Sequence, residues 1–158
     1  MNLEYLIDFD GVILDSQSRF EVDMKGNTNF DDWLNYLSSI EWYHFLRECN
    51  EIDGSLSTLQ ELQKYKKLRA IITAIHSFEE GRQKLIYLRD NHIEVPVLYV
   101  LPEQKKSDIF IPKRNTVLVD DKLNNCIDWN NSGGVSLLFD CNDNTGSKEI
   151  IKSLKQIL

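Results

Sequence analysis

Residues 3–16, LEYLIDFDGVILDS, constrain the fold more than any other stretch. A short apolar run (Leu3, Tyr5, Leu6, Ile7) has the length and flanks of a buried strand. It stops where Asp8 and Asp10 appear two residues apart, followed by Gly11, which lets the chain leave at an angle. If the strand continues, alternation puts both carboxylates on one side and Phe9 on the other. Two like charges held so close are costly, and a purely structural strand has no reason to end this way. A hard cation removes the cost, and Mg²⁺ binds through one or two carboxylates together with phosphate oxygens and water.

The remainder alternates short apolar runs with helical patterns. Residues 69–73 (RAIIT), 96–101 (PVLYVL), 116–119 (TVLV) and 135–139 read as further strands, so five are expected. Ser77 with Glu80 forms a capping box that opens a helix to about Asp90. A short helix is expected over 124–131, and an amphipathic one over 147–158 carries Ile150, Ile151, Leu154 and Leu158. Residues 17–29 read as a loop or frayed helix, followed by three helical stretches. The first begins at Asp31 or Asp32 as cap, the second carries Trp42, Phe45, Leu46 and Cys49, and Ser55 caps the third. Strands alternating with helices imply a doubly wound α/β fold with a parallel five-stranded sheet covered on both faces. Ligands of such folds sit beyond the carboxyl ends of the strands, where Asp8, Asp10, Thr73, Asp120 and Asp121 all fall.

At 158 residues the chain is expected to be one domain, 1–158, with a helical insert of unusual length over 17–67. A net charge of −7 argues against a non-specific nucleic-acid binder, and a bound Mg²⁺ would still admit a small anionic substrate. No apolar run approaches a membrane span. The odd, scattered cysteines Cys49, Cys126 and Cys141 suit reduced thiols in a cytoplasm. The expected assembly is a monomer or weak homodimer.

With its apolar lead, DFDGV resembles the first motif of the haloacid dehalogenase (HAD) superfamily of phosphohydrolases, Asp-x-Asp-Gly-Val. The likeness extends in order over residues 3–139. It implies a Rossmann-like core with the 17–67 insert as a small cap. Asp8 would be the nucleophile and Asp10 the general acid/base, its backbone carbonyl also reaching the metal. Thr73 closes the second strand, where its hydroxyl and nearby backbone N–H groups, including that of Ala74, would hold a phosphoryl oxygen. The third-motif lysine would be Lys106, with Lys105 as the neighbouring alternative. Asp120 and Asp121 match the fourth motif, Asp120 ligating Mg²⁺ directly and Asp121 supporting it. An acid at position 10 resembles the phosphatases of the superfamily rather than its dehalogenases or phosphonatases. The resemblance requires the pKa of Asp10 to lie above that of metal-bound Asp8.

A looser similarity, carried by IHSFEEGRQKLIYLR and by Asp120-Asp121-Lys122 with Asn124, Asn125, Trp129 and Gly133-Gly134, is to small phage and bacterial proteins related to 5′-nucleotidases. It favours a nucleoside monophosphate. A sugar or other metabolite phosphate, and a catalytically idle binding module, are the competing readings. In the insert, Trp33 and Trp42 suit core packing by their helical spacing, which leaves Tyr43 as the side chain to meet substrate. His44, His76 and His92 show no ligand spacing. Ser77 is explained by its cap, and Arg82 and Lys84 read as solvated helix residues.

Overall fold

A computed structural model describes residues 2–158. Its centre is a parallel sheet of six strands in the order β3-β2-β1-β4-β5-β6. These are β1 (Glu4–Ile7), β2 (Leu68–Ala74), β3 (Val97–Val100), β4 (Thr116–Asp120), β5 (Val135–Phe139) and β6 (Ile150–Ile151). Alternation along each strand divides the apolar residues between two cores. Tyr5, Ile7, Ile71, Val117 and Val119 face one, while Leu6, Ala70, Ile72 and Leu118 face the other with Trp129. Burial on both faces is what makes these strands read as unbroken apolar runs.

Between β1 and β2 lie four helices: α1 (Ser16–Met24), α2 (Phe30–Ser39), α3 (Trp42–Glu48) and α4 (Ser55–Lys64). Of the stretch 17–29, read as a loop or frayed helix, the part up to Met24 belongs to α1. Asp15 caps α1 by accepting from the Ser18 N–H, and Lys25 in the left-handed region ends it. Asn29, not Asp31 or Asp32, caps α2 by accepting from both of their N–H groups. The Ser55 hydroxyl does not cap α4. Gly54 takes that position at φ +68°, and Ser55 donates instead to the Ile13 carbonyl at 2.9 Å. Phe45, Leu46, Leu59 and Leu62 of α3 and α4 lie in the same core as Tyr5 and Ile7. Most of the later insert is thus continuous with the sheet's packing. Phe20 of α1 stacks on Phe45 and meets Trp33 of α2 edge-on, holding the first two helices to the third.

The remaining helices are α5 (Phe78–Asp90), α6 (Lys106–Ile109) and α7 (Leu123–Asn131). The expected C-terminal helix over 147–158 does not form. Ile150 and Ile151 add β6 to the edge of β5, where the Leu138 N–H donates to the Glu149 carbonyl and the Asp140 N–H to that of Ile151. A 3₁₀ turn over Leu154–Ile157 follows. Of the four side chains expected on the helix's apolar face, Ile151 and Leu154 are buried, Ile150 is half-buried and Leu158 is exposed, and Ile157 is buried in its place. Pairing the open backbone groups of β5 outweighs local helical periodicity. Among the described residues no helix is long and apolar enough to cross a membrane, and the three cysteines are unpaired.

Candidate metal centre and active site

The site begins where β1 ends. The Asp8 N–H still donates to the Val119 carbonyl at 2.9 Å, so the register Ile7↔Val119 carries Asp8 alongside Asp120 of β4. The chain then turns sharply. The Ile13 N–H donates to the Phe9 carbonyl at 2.9 Å, the Gly11 N–H to that of Leu14 at 2.8 Å, and Gly11 adopts φ +78°. The turn exists because Phe9, Val12, Ile13 and Leu14 are all fully buried, anchoring it from below.

Asp8, Asp120 and Asp121 each offer an oxygen, and these oxygens lie within 4.8 Å of one another. Lys106, delivered by α6, supplies the nearby cation. Its Nζ is 2.8 Å from Asp8 Oδ1 and 2.5 Å from Asp120 Oδ2. Asp120 is further fixed by the Lys122 N–H at 2.8 Å and by the Asn125 amide, which reaches both oxygens at 3.0 and 3.1 Å. Asp121 Oδ1 is buried without a hydrogen-bond partner. Three carboxylates against one ammonium leave two negative charges at the centre. An orphaned buried oxygen and an all-carboxylate donor set fit a hard divalent cation such as Mg²⁺.

Asp10 belongs to a separate network. Its Oδ2 accepts from Lys84 Nζ at 2.6 Å and its Oδ1 from the Ser16 hydroxyl at 2.8 Å. The Lys84 side chain, on α5, is wholly buried, contrary to the solvated position its sequence context suggests. It also donates to Glu80 Oε1 at 2.7 Å, the Ala74 carbonyl at 3.0 Å and Thr73 Oγ1 at 3.1 Å. Glu80 does not complete the expected capping box. Its Oε2 accepts from the His76 N–H at 2.7 Å, and Ser77 alone caps α5. His76 in turn meets Trp33 of α2 edge-on.

These two networks set opposite electrostatics. Burial pushes the Asp8 carboxyl up to about 7, only partly offset by Lys106 and reinforced by Asp120 and Asp10. Burial likewise raises Asp121 to about 6, with Asp120 adding to it. Burial also acts on Asp10, but Lys84 and Ser16 outweigh it and hold that carboxyl below the usual range. The order required by the family resemblance, Asp10 above Asp8, is thus reversed in the metal-free protein. The reason is that Asp8 shares Lys106 with Asp120 and is crowded by Asp120 and Asp10, whereas Asp10, which shares Lys84 with Glu80, also accepts from the Ser16 hydroxyl.

The structure therefore brings Asp8, Lys106, Asp120 and Asp121 together, with the Asp10 side chain directed to Lys84 and Ser16. Thr73 is fully buried, and its hydroxyl engages Lys84 and the Ala74 carbonyl. Lys105 is exposed and pairs with Asp128, which leaves Lys106 as the lysine of the site. Tyr43 is not brought there. Its ring lies 3.7 Å under the Arg47 guanidinium, which pairs with Asp90, the last residue of α5, whereas Lys84 and Glu80 occupy the earlier turns. Trp33, assigned to packing by its spacing, is half-buried and lines a cleft of about 440 Å³ with Gln17, Phe20, Met24 and Phe30. Gln17 also borders a second cleft that reaches Gly11 and Asp121. Sequence reasoning misses Lys84, Glu80, Ser16 and Asn125. The i,i+4 spacing of Glu80 and Lys84 is their one local signal.

No family model matches the chain, and no curated protein matches it in sequence. Among solved structures it is similar to a HAD-superfamily hydrolase from Ehrlichia chaffeensis, at TM-score 0.60 and 12% identity, over 98% of this chain and 93% of that one. It is also similar to a HAD hydrolase, family IA, variant 3, from Entamoeba histolytica HM-1:IMSS, at TM-score 0.62 and 11% identity, over 99% and 95% of the two chains. At these identities the likeness is one of fold, and the fold of this chain is that of HAD-superfamily hydrolases.

Proposed function

We propose that the chain is a Mg²⁺-dependent phosphatase that cleaves a small phosphomonoester through an aspartyl-phosphate. The observation that carries this reading is the pairing of a cation-deficient carboxylate centre with a separately held acid. Asp8, Asp120 and Asp121 share one ammonium, while Asp10 is held by a second lysine, Lys84, which it shares with Glu80. Asp8, Asp120 and Asp121 would hold the ion, which would screen Asp8 from the phosphate and spread charge on its oxygens. Lys106 keeps Asp8 oriented and adds positive charge to the same centre. Asp8 Oδ attacks phosphorus in line as the bond to the leaving oxygen breaks. Asp10 gives that oxygen a proton, then takes one from the water that opens the aspartyl-phosphate.

The cap role falls to α1 and α2 rather than to the whole of 17–67, because α3 and α4 bury Trp42, Phe45, Leu46, Leu59 and Leu62 in the sheet's core whereas α1 and α2 bury only Leu37 there. Their cleft, walled by Phe20, Met24, Phe30 and Trp33, favours a planar, partly apolar leaving group such as a nucleoside over a sugar. Phosphate release from deoxy- and ribonucleoside monophosphates, sugar phosphates and an aryl phosphate, with Mg²⁺ and with chelator, tests this. Metal-dependent release abolished by Asp8→Asn is expected. A folded, Mg²⁺-binding protein that releases phosphate from none of them would mark the chain as a binding module instead.

A further inference from the structure

Lys84 has more hydrogen-bond acceptors than a structural role requires. Its ammonium, with three protons, faces four oxygens, on Asp10, Glu80, Ala74 and Thr73, at 2.6–3.1 Å. It also lies 5.3 Å from the centre of the Phe9 ring, so the group is walled by the core on its remaining side. Burying a lysine in this way adds little stability over a well-packed apolar residue of similar size, and stability alone does not account for it. Its effect on Asp10 is specific. An ammonium can only donate, so Asp10 Oδ2 is fixed as an acceptor. The Ser16 hydroxyl on Oδ1 can donate or accept, so Oδ1 is the oxygen free to carry a proton.

We propose that Lys84 is the positioning residue for Asp10: by fixing Oδ2 it sets the carboxyl plane and presents Oδ1 to the leaving oxygen. This rests on the phosphatase reading above. In the first half-reaction the proton on Oδ1 passes to the leaving oxygen as its bond to phosphorus breaks and the bond from Asp8 forms. In the second, water attacks the aspartyl-phosphate and its proton returns to Oδ1, restoring the acid. Glu80, held by the His76 N–H, anchors Lys84 from the other side.

Leaving-group dependence separates positioning from mere support. An alkyl phosphomonoester needs a proton at its leaving oxygen, whereas the leaving group of p-nitrophenyl phosphate departs as the stable p-nitrophenolate anion. The kcat/KM reports steps up to release of that group. Lys84→Met should lower kcat/KM for an alkyl ester that the unmodified protein turns over by about 100-fold or more, the usual range for a general acid. The loss for p-nitrophenyl phosphate should be at least about tenfold smaller, with kcat and KM falling together as hydrolysis of the aspartyl-phosphate slows. Because Lys84→Met leaves Glu80 buried without its cation, the double variant Glu80→Gln/Lys84→Met should show the same change in selectivity in a fold checked by circular dichroism. Equal losses for the two esters, or no loss, in the folded double variant would overturn the positioning role. Asp10→Asn serves as the reference and should discriminate between the esters as strongly. Full activity in Asp8→Asn would instead overturn the phosphatase reading beneath it.

Discussion

A Cβ placed on Gly11 would fall 2.2 Å from Asp121 Oδ2. The turn after β1 and the acid after β4 are therefore fitted to each other, and the absent side chain is what lets the Asp121 carboxylate occupy the centre. Gly11→Ala should push that carboxylate aside and weaken Mg²⁺ by about 10- to 100-fold, the range seen when a metal's supporting groups are disturbed. Positive φ adds roughly 1–2 kcal/mol of strain to the alanine. Titrating activity with Mg²⁺ checks this: a shifted midpoint with recovery at high metal is expected, and an unchanged midpoint counts against Asp121 as a supporting group.

The raised carboxyls of Asp8 and Asp121 predict how stability follows pH. Unfolded, both ionise near the ordinary carboxylate value of about 4. Folded and metal-free they hold protons up to about 7 and about 6. Across that window the folded chain binds more protons than the unfolded one, so these groups make stability fall as pH rises. Bound Mg²⁺ requires both ionised and cancels the cost. The gain in Tm on adding Mg²⁺ should therefore be small near pH 5 and grow to about pH 8. Asp121→Asn should raise the metal-free Tm at the alkaline end while shrinking the Mg²⁺ gain. A gain independent of pH in the unmodified protein would contradict the assignment.

Lys106 and Lys105 are neighbours with opposite expected consequences. Lys106→Met removes the one cation between Asp8 and Asp120, both almost completely buried, and should cost about 3–5 kcal/mol of stability as well as activity. Lys105→Ala removes an exposed partner of Asp128 and should leave both close to the starting values. Thermal melts and phosphate release on the two variants check the pair. Loss of activity in Lys105→Ala would reverse the assignment.

What is legible in the sequence follows from which interactions are local. Residues 70–73 and 116–119 are legible as strands because both faces of the parallel sheet are buried there, whereas 135–139, toward the sheet's edge, carries Ser136 and an exposed Val135 among its apolar residues. The acids after β1 and at the end of β4 stand out because no packing argument explains them. Lys84 is hidden because its decisive partner, Asp10, is 74 residues away, although Tyr87 and Leu88, three and four residues on, mark its side of α5 as buried. Ile150 and Ile151 fit a helix as well as a strand, and pairing with β5 decides between them. In α1 the cap, Asp15, is hidden inside the opening motif, and only Phe20 points to a buried face.

Trp33 packs against the core as its spacing suggests and also lines the α1–α2 cleft, so if that cleft takes the leaving group, Trp33 rather than Tyr43 meets it, and substrate kinetics should show it. Trp33 lines the cleft beside Gln17 and touches His76, which hangs on the Glu80–Lys84 network. Tyr43 is taken up by Arg47 and lies with it toward the far end of α5. If a nucleoside occupies the cleft, Trp33→Ala removes a stacking wall worth about 1–3 kcal/mol per base. KM for a nucleoside monophosphate should then rise by about 5- to 150-fold with little change in kcat, since the lost contact is the same in ground and transition states. Against p-nitrophenyl phosphate the same variant should change far less. Tyr43→Ala should leave both substrates unaffected. A KM effect in Tyr43→Ala, with none in Trp33→Ala, would move the leaving group out of the α1–α2 cleft and toward the outer face of α3.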